Sequence, residues 1–311
     1  SRTLNILINK LQMNSKQKEN SIKSLIKDYT IETTPNIYEK YGNLKEFLPY
    51  SRDVYITYLP EEDSQRVIKT AKMINEEGLN AIPHLPARSI KDYQTLENYI
   101  AKLSEYAGCK RILIIGGGGK KVGSINSSLE ILNSNLLSKY NFEYIGLAGH
   151  PEGHPDISKK ELDNAIIEKN KFSKNSNFKI YLVTQFFFEA NAFKLWEKHL
   201  NLIGNKLDIH AGIPGPANLK ILLSFAKSCG IGNSINFLSK QIFNIRKLAT
   251  TKTPDKLIAD LAEYKINNPA SRLKKLHLYP FGGMKKTSQW MNTILDNPLE
   301  IKNNNEFVTE K

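Results

Sequence analysis

Two short segments of this sequence combine residues that can transfer protons or bind polar ligands. In the first, Glu32 ends a run of apolar and β-branched residues and is soon followed by Pro35. In the second, His150, Glu152 and His154 alternate with prolines and a glycine. A carboxylic acid in an apolar pocket has a raised pKa and can act as a general acid near neutral pH. Glu32 is therefore a candidate acid, the alternative being a rim carboxylate paired with a lysine.

The two histidines and their neighbouring carboxylates are also compatible with a metal site, for which three or four such ligands are needed. His84, at the end of another apolar run, is a further candidate ligand. However, prolines keep the loop around His150 extended, and no other ligand pair with metal-site spacing occurs in the sequence. We therefore expect a rigid loop that presents hydrogen-bonding groups to a ligand, with no metal. A metal-dependent lyase or hydrolase is kept as an alternative.

A third segment places an amide side chain beside aromatic rings. Gln185 follows an apolar run and precedes Phe186 and two more phenylalanines. An amide offers both a donor and an acceptor to the edge of a heterocycle, and an aromatic ring offers a stacking surface. Because a run of phenylalanines is also typical of a packed core, Gln185 is the stronger candidate for ligand binding.

All these residues lie at the ends of short apolar runs that recur along the chain. Eight such runs, separated by helical patterns, cover residues 29–32, 53–57, 80–84, 111–115, 143–148, 179–184, 208–212 and 276–279. Their nearly continuous apolar character is typical of parallel strands covered by helices. The pattern predicts an α/β fold, a single (β/α)8 TIM barrel, in which functional side chains gather at the carboxyl ends of the strands.

The barrel accounts for most of the 311 residues. We expect an extra N-terminal helix within residues 1–28, the barrel with extra C-terminal helices over residues 29–297, and a flexible tail over residues 298–311. One extra helix is predicted over residues 235–248. The four glycines at 116–119 follow a strand, so a doubly wound dinucleotide-binding sheet is the second choice of fold. Two lysines follow the glycines directly in place of a clear helix start, which makes that fold less favoured.

The formal net charge of +13 comes from lysines that are interspersed with acidic residues throughout the chain. No recognised nucleic-acid module accompanies them, so nucleic acid is not an expected partner. The charge would still attract an anionic small molecule by long-range steering. With two cysteines and no apolar run long enough to cross a bilayer, we expect a cytoplasmic protein with neither disulfides nor a membrane anchor.

The same segments resemble those of the methylenetetrahydrofolate reductase family. The resemblance lies in Ile31-Glu32 with Pro35, Pro83-His84-Leu85, Leu147 to Pro155, and Thr184-Gln185-Phe186, in the family's order. It extends from Tyr29 to Tyr279 and implies an oxidoreductase that interconverts 5,10-methylenetetrahydrofolate and 5-methyltetrahydrofolate. It further implies that Glu32 is the catalytic acid, that Gln185 and Thr57 bind the substrate, and that Phe186 stacks on it.

On the cofactor side, the resemblance is less complete. The family's contact positions correspond to Thr57, His84, His150, Glu152, His154 and Asp163. The glycines at 116–119 replace a segment that carries an aspartate in the family, Ile166 and Asn170 replace two polar residues, and residues 280–283 lack others. In addition, the segments Gly212 to Pro216 and Gly230 to Ser234 resemble those of divergent bacterial members that work without flavin. NAD(P)H is therefore the expected cofactor, with Gly117 and Gly118 cradling its pyrophosphate, and FAD is expected to bind weakly or not at all.

The resemblance implies a small folate as the partner, with or without a polyglutamate tail. Loss of the aspartate leaves open an alternative function, namely a folate-binding protein without redox activity.

Overall fold

The computed structural model describes residues 2–242 and 244–310, with their side chains from residue 14 onwards. The central strands are β1 (Thr30–Thr33), β2 (Asp53–Ile56), β3 (Asn80–Pro86), β4 (Arg111–Ile115), β5 (Tyr144–Gly149), β6 (Lys179–Thr184), β7 (Asp208–Pro214) and β10 (Leu273–Tyr279). They form a closed barrel in this order, and β10 pairs parallel to β1. The predicted TIM barrel and its eight strands are confirmed. The doubly wound sheet is wrong, because such a sheet stays open.

Helices cover the outside of the barrel. Those between its strands are α2 (Pro35–Tyr41), α3 (Ser64–Glu76), α4 (Tyr93–Ala101), α5 (Ser128–Asn133), α6 (Lys159–Lys174), α7 (Ala190–Leu202) and α10 (Asp255–Asn267). The predicted extra N-terminal helix is present as α1 (Arg2–Ile26), which contacts α10 and α11 (Met284–Asp296). No helix in the described ranges is both long and apolar enough to cross a membrane.

Between β7 and α10 the chain makes an excursion over residues 217–252. It contains α8 (Leu219–Ser228) and α9 (Gly232–Ser239), and its two ends are joined by the antiparallel strands β8 (Ala217–Asn218) and β9 (Thr251–Lys252). The extra helix predicted over residues 235–248 is present only in part: α9 ends at Ser239, a separate 3-10 helix covers Ile245–Ala249, and Phe243 lies outside the described residues. The side chain of Asn244 accepts a hydrogen bond from Lys247 N, and such a cap starts a new turn instead of continuing a helix.

The residues after 297 fold back on the barrel as an antiparallel pair, β11 (Leu299–Ile301) and β12 (Phe307–Thr309). The sequence predicted a frayed tail here, and the structure differs. Leu299 and Phe307 are buried, and Phe307 N donates a hydrogen bond to Asp255 Oδ2 at the start of α10. These two apolar side chains anchor a stretch whose other residues are mostly charged or amide-bearing.

Polar side chains fill the barrel interior below the mouth. The hydroxyls of Tyr55 and Tyr181 are 2.7 Å apart, and Arg111 donates to Asp53 at the amino end of the strands. Because these layers occupy the interior, a ligand can reach the barrel only from the carboxyl ends of the strands, where the active sites of TIM barrels lie.

Glu197 is a fully buried carboxylate on α7 that ties together three parts of the outer layer. It accepts hydrogen bonds from Tyr264 Oη (2.6 Å), Ser271 Oγ (2.7 Å) and Arg272 N (3.0 Å). Because Glu197→Ala leaves these donors without an acceptor, we expect it to lower the free energy of unfolding by about 3 kcal/mol. Urea denaturation measures this, with the exposed Glu168→Ala as a control that changes it by less than about 0.5 kcal/mol. Equal effects of the two variants would contradict the role given to Glu197.

Candidate active site

The carboxylate of Glu32 lies in the barrel mouth between two imidazole rings. Its Oε1 atom is 3.1 Å from His277 Nε2 and 3.4 Å from His84 Nε2. On the other side of the His277 ring, Nδ1 is 2.7 Å from Thr30 Oγ1. The pairing of β1 with β10 sets Thr30 opposite His277. Thr30, His277 and Glu32 therefore form one continuous hydrogen-bonded chain, which we call the Thr30–His277–Glu32 chain.

The pKa of Glu32 is lowered, so the prediction of a raised value is wrong. Burial by itself raises this pKa, but the hydrogen bond and charge of His277, together with His84, outweigh burial and lower it to about 2. His84 lowers the pKa of Glu32 both by the approach of its Nε2 atom to the carboxylate and by its charge. A nearby positive charge favours the ionised form of a carboxyl. Glu32 is thus a carboxylate at neutral pH.

His277 and Thr30 are functional candidates that the sequence reasoning missed. His277 stands in an apolar run, so its surroundings in the sequence indicate a core residue. In the structure its side chain is fully buried. Thr30 could have been found, because residues two apart on a strand share one face and Thr30 is two positions before Glu32. Finding His277 required knowing that β10 closes the barrel against β1.

Gln185 lies at the end of β6, next to an aromatic cluster. Phe186 packs against Tyr279 and Phe281, with ring centroids 5.6 and 4.8 Å apart, and only 2% of its surface is exposed. Tyr279 in turn contacts the ring of His277 at 4.9 Å. The cluster therefore connects the strand of Gln185 to the Thr30–His277–Glu32 chain, while the ring of Phe186 has little free face for stacking on a ligand.

The loop after β5 is held in place by the excursion. Ser234, in the first turn of α9, donates a hydrogen bond to Glu152. Gly230 approaches Pro155 so closely that a Cβ atom there would lie 2.7 Å from the proline ring. Burial raises the pKa of Glu152. The predicted rigid loop thus gains its support from the neighbouring excursion as well as from its own prolines.

Two groups beside this loop could serve a cofactor. Burial lowers the pKa of His150 to about 3, so its ring is neutral and offers one donor and one acceptor. His154 contacts it edge to face at 5.4 Å. Lys169, which the sequence reasoning missed, is 5% exposed and donates to Ala148 O at 2.8 Å. Its place in a lysine-rich helix gave no sign of this burial, which lowers the pKa of its ammonium to about 8.

The mouth also contains polar groups without partners. Thr57 Oγ1 is buried and has no hydrogen-bond partner among the described residues. In the glycine run, Gly117 has a φ of +91°, and a Cβ there would lie 2.9 Å from Pro86 Cβ, so the turn requires glycine. Within the described chain, no amide of residues 117–121 donates to a backbone carbonyl. Amides of Gly117 and Gly118 therefore remain available to an anionic group.

The three positions of α6 that the family resemblance places on the cofactor side are buried or bound to other residues of the protein. Both oxygens of Asp163 lie 2.9 Å from His199 Nε2 on α7, and Ile166 is buried. Asn170 donates to Asn205 Oδ1 at 2.9 Å. Asp163 is thus not brought together with the groups around Glu32.

The three histidines of the metal-dependent alternative are not assembled as a ligand set. His84 faces Glu32, whereas His150 and His154 contact each other in the loop after β5. Across residues 2–242 and 244–310, no group of three or more His, Cys, Asp or Glu side chains is arranged to hold a metal ion.

Among solved structures, the fold is similar to a Yersinia pestis DHPS bound to a pterine-sulfa conjugate, with a TM-score of 0.46, 12% identity, and coverage of 88% of this chain and 94% of that chain. It is also similar to a class V chitinase from Pseudomonas fluorescens, with a TM-score of 0.48, 12% identity, and coverage of 86% and 98%.

Sequence comparison is more specific. A curated 5,10-methylenetetrahydrofolate reductase from Pectobacterium carotovorum is 29% identical over 160 residues, which are 51% of each chain. The chain thus spans about half the length of this curated relative. The profile of the methylenetetrahydrofolate reductase family matches residues 28–239, from just before β1 to the end of α9. Because this match covers more than half of the sequence and includes Glu32, His84, the loop after β5 and Gln185, the chain belongs to the methylenetetrahydrofolate reductase family.

Proposed function

We propose that this protein interconverts 5,10-methylenetetrahydrofolate and 5-methyltetrahydrofolate, with NAD(P)H as the hydride donor. Family membership supports the reaction class. The observation that carries the proposal is the Thr30–His277–Glu32 chain at the mouth, with Glu32 Oε1 and His277 Nε2 3.1 Å apart. Opening the methylene bridge requires a proton at the leaving nitrogen, and a buried pair of titratable groups is suited to supply it.

In the reductive direction, N10 of the folate is protonated and its bond to the bridging carbon breaks, leaving an iminium cation at N5. We assign the proton to the Glu32–His277 pair: Glu32 takes it from His277 Nε2 and passes it to N10. Thr30 fixes the orientation of the ring through Nδ1. Once ionised again, Glu32 stabilises the iminium by its negative charge, which is effective in a buried site.

Gln185 pairs with the edge of the pterin, and Phe186 supports this strand end from the aromatic cluster. The hydride needed to reduce the iminium to a methyl group would come from a nicotinamide when one is bound. Thr57 Oγ1 and the neutral ring of His150 fit such a cofactor, because both have hydrogen-bonding capacity that the described protein atoms leave unused. The amides after Gly116 and the ammonium of Lys169 fit its anionic groups.

Three further positions, Glu152, His154 and Asp163, are proposed on the cofactor side from the resemblance alone. Of these, Glu152 acts by holding the loop that carries His150. The second candidate function, a folate-binding protein without redox activity, is favoured by the absence of an aspartate in the glycine run.

A binding and turnover experiment separates the two candidate functions. We expect calorimetric titration with 5-methyltetrahydrofolate to show binding tighter than about 1 mM, or about −4 kcal/mol, because the amide of Gln185 offers the pterin both a donor and an acceptor. NADH mixed with methylenetetrahydrofolate and the protein should be oxidised, and mass spectrometry should detect the methyl product. p-Aminobenzoylglutamate, which lacks the pterin, is the control ligand. Binding without product supports the second candidate, and absence of both contradicts the folate function.

A further inference from the structure

A second cavity, here called the side cavity, lies beside the mouth. It is bounded by the amino ends of α7 and α10 and by the underside of the excursion, and its volume is about 560 Å³. Glu32, His277 and Gln185 do not line it. Binding sites for small molecules occupy about 300–1,000 Å³, so the side cavity is large enough for a separate ligand.

One wall of the side cavity is apolar. The rings of Phe188 and Phe237 are nearly parallel with centroids 6.5 Å apart, and Leu222, Leu238 and Leu257 continue this wall. These three leucines are buried from solvent within the fold. An apolar group that covers such a wall is stabilised by the removal of both surfaces from water.

Lysines and the amino ends of two helices lie on the rim of the side cavity. The amino ends of α7 and α10, each 13 residues long, face the cavity, and neither has a side-chain hydrogen bond at its cap. Lys256 is already paired with Asp260, whereas Lys194 and Lys252 take part in no ion pair within the described residues. Free amides at a helix start and a lysine together favour a carboxylate.

The rim also offers places for a cation. Glu189 and Glu306 have no ion-pair partner in the described part of the chain, and the buried Gln241 Oε1 has no donor there. Asp255, at the start of α10, is a third carboxylate of the rim, and it accepts hydrogen bonds from Thr253 Oγ1 and Phe307 N. A ligand with several negative charges, such as a polyglutamate tail, would be repelled by these carboxylates, whereas a ligand with one charge of each sign satisfies both sets.

We propose that the side cavity binds a zwitterionic α-amino acid with an apolar side chain. Its carboxylate lies at Lys194 and the first amides of α7, its ammonium donates to Gln241 Oε1 and Glu189, and its side chain covers Phe188 and Phe237. The site is independent of the proposed folate reaction. Phe188 follows Gln185 by three residues, so one wall of the side cavity belongs to the loop that continues the strand of Gln185.

Calorimetric titration of the full chain with L-leucine and L-phenylalanine, without folate or cofactor, tests the proposal. We expect one site per chain with a Kd below about 1 mM. L-Leucinamide lacks the carboxylate and 4-methylpentanoate lacks the ammonium, and each should bind at least about tenfold more weakly, because one charged set is left unsatisfied. The proposal is overturned if neither amino acid gives heat up to about 10 mM, or if either analogue binds as tightly as L-leucine.

The location is tested with matched lysine variants of α7. Lys194→Met should weaken leucine binding at least about tenfold, and the exposed Lys198→Met, one turn further along, should leave it unchanged. Thermal unfolding of both variants confirms that they fold. Equal affinities of the two variants, or displacement of leucine by 5-methyltetrahydrofolate in strict competition, would place the amino acid elsewhere. Because the readout needs no turnover, its failure leaves the proposed reaction untouched.

Discussion

Glu32→Gln is expected to lower turnover of methylenetetrahydrofolate by about two to four orders of magnitude, which is the usual share of a general acid or base. Glutamine keeps the shape of the side chain, but it cannot relay a proton from His277 or offer a negative charge to the iminium. Binding of 5-methyltetrahydrofolate should persist, because Gln185 and the aromatic cluster are unchanged. Steady-state kinetics and calorimetry on the same preparation measure the two effects separately.

Two controls make this result specific. Glu168→Gln, on the exposed face of α6, should leave turnover unchanged. His277→Gln should lower turnover and alter its pH profile, which a merely structural residue would not do. If Glu32→Gln retains full turnover, the proton comes from another group and Glu32 is a rim residue.

The lowered pKa of Glu32 adds a second readout of the same variant. Its ordinary value is 4.5 and the folded value is about 2. A carboxyl whose pKa is lowered by folding contributes stability that is complete above the ordinary pKa and is lost as the pH falls towards the folded pKa. The difference in unfolding free energy between the wild type and Glu32→Gln should therefore shrink as the pH is lowered from 4.5 towards 2. Urea denaturation at several pH values measures this.

The protein is expected to bind flavin several powers of ten more weakly than a member of the family with the complete contact set, and to oxidise NADH directly. The glycine run has no carboxylate, Ile166 offers no polar atom, and Asn170 is engaged by Asn205. Each missing charge-assisted or buried hydrogen bond is worth about 1.5–3 kcal/mol. Protein purified without added cofactor should be colourless, and NADH oxidation with methylenetetrahydrofolate should not require flavin.

The glycine run provides a matched pair of variants for this prediction. Gly118 has no atom within 4 Å of an added Cβ and no positive φ, so Gly118→Asp should fold and raise flavin affinity at least about tenfold. Gly116→Asp, equally open, tests whether any carboxylate in the run has this effect. Stoichiometric flavin in the visible spectrum of the purified wild type would contradict the prediction and would support a flavin-dependent mechanism.

The barrel and several candidate residues could be predicted from the sequence because their signals are local. A buried parallel strand is a short apolar run whatever lies around it, and all eight strands were found in this way. Once the barrel was expected, Glu32, Gln185 and the loop around His150 followed as residues at strand ends. The single helix predicted over residues 235–248 is divided into two shorter ones, because the cap at Asn244 starts a new turn in a stretch whose composition is still helical.

Other properties depend on contacts between distant parts of the chain. The pKa of Glu32 was predicted in the wrong direction, because His277, 245 residues away, becomes its neighbour only when β10 closes against β1. Residues 298–310 are folded because the side chains of Leu299 and Phe307 are buried against the barrel. The sequence by itself thus determined the strands, their order and which residues stand at their ends. Only the tertiary structure decided the protonation of Glu32, the burial of Lys169 and the partner of Asp163, since each is set by atoms far away in sequence.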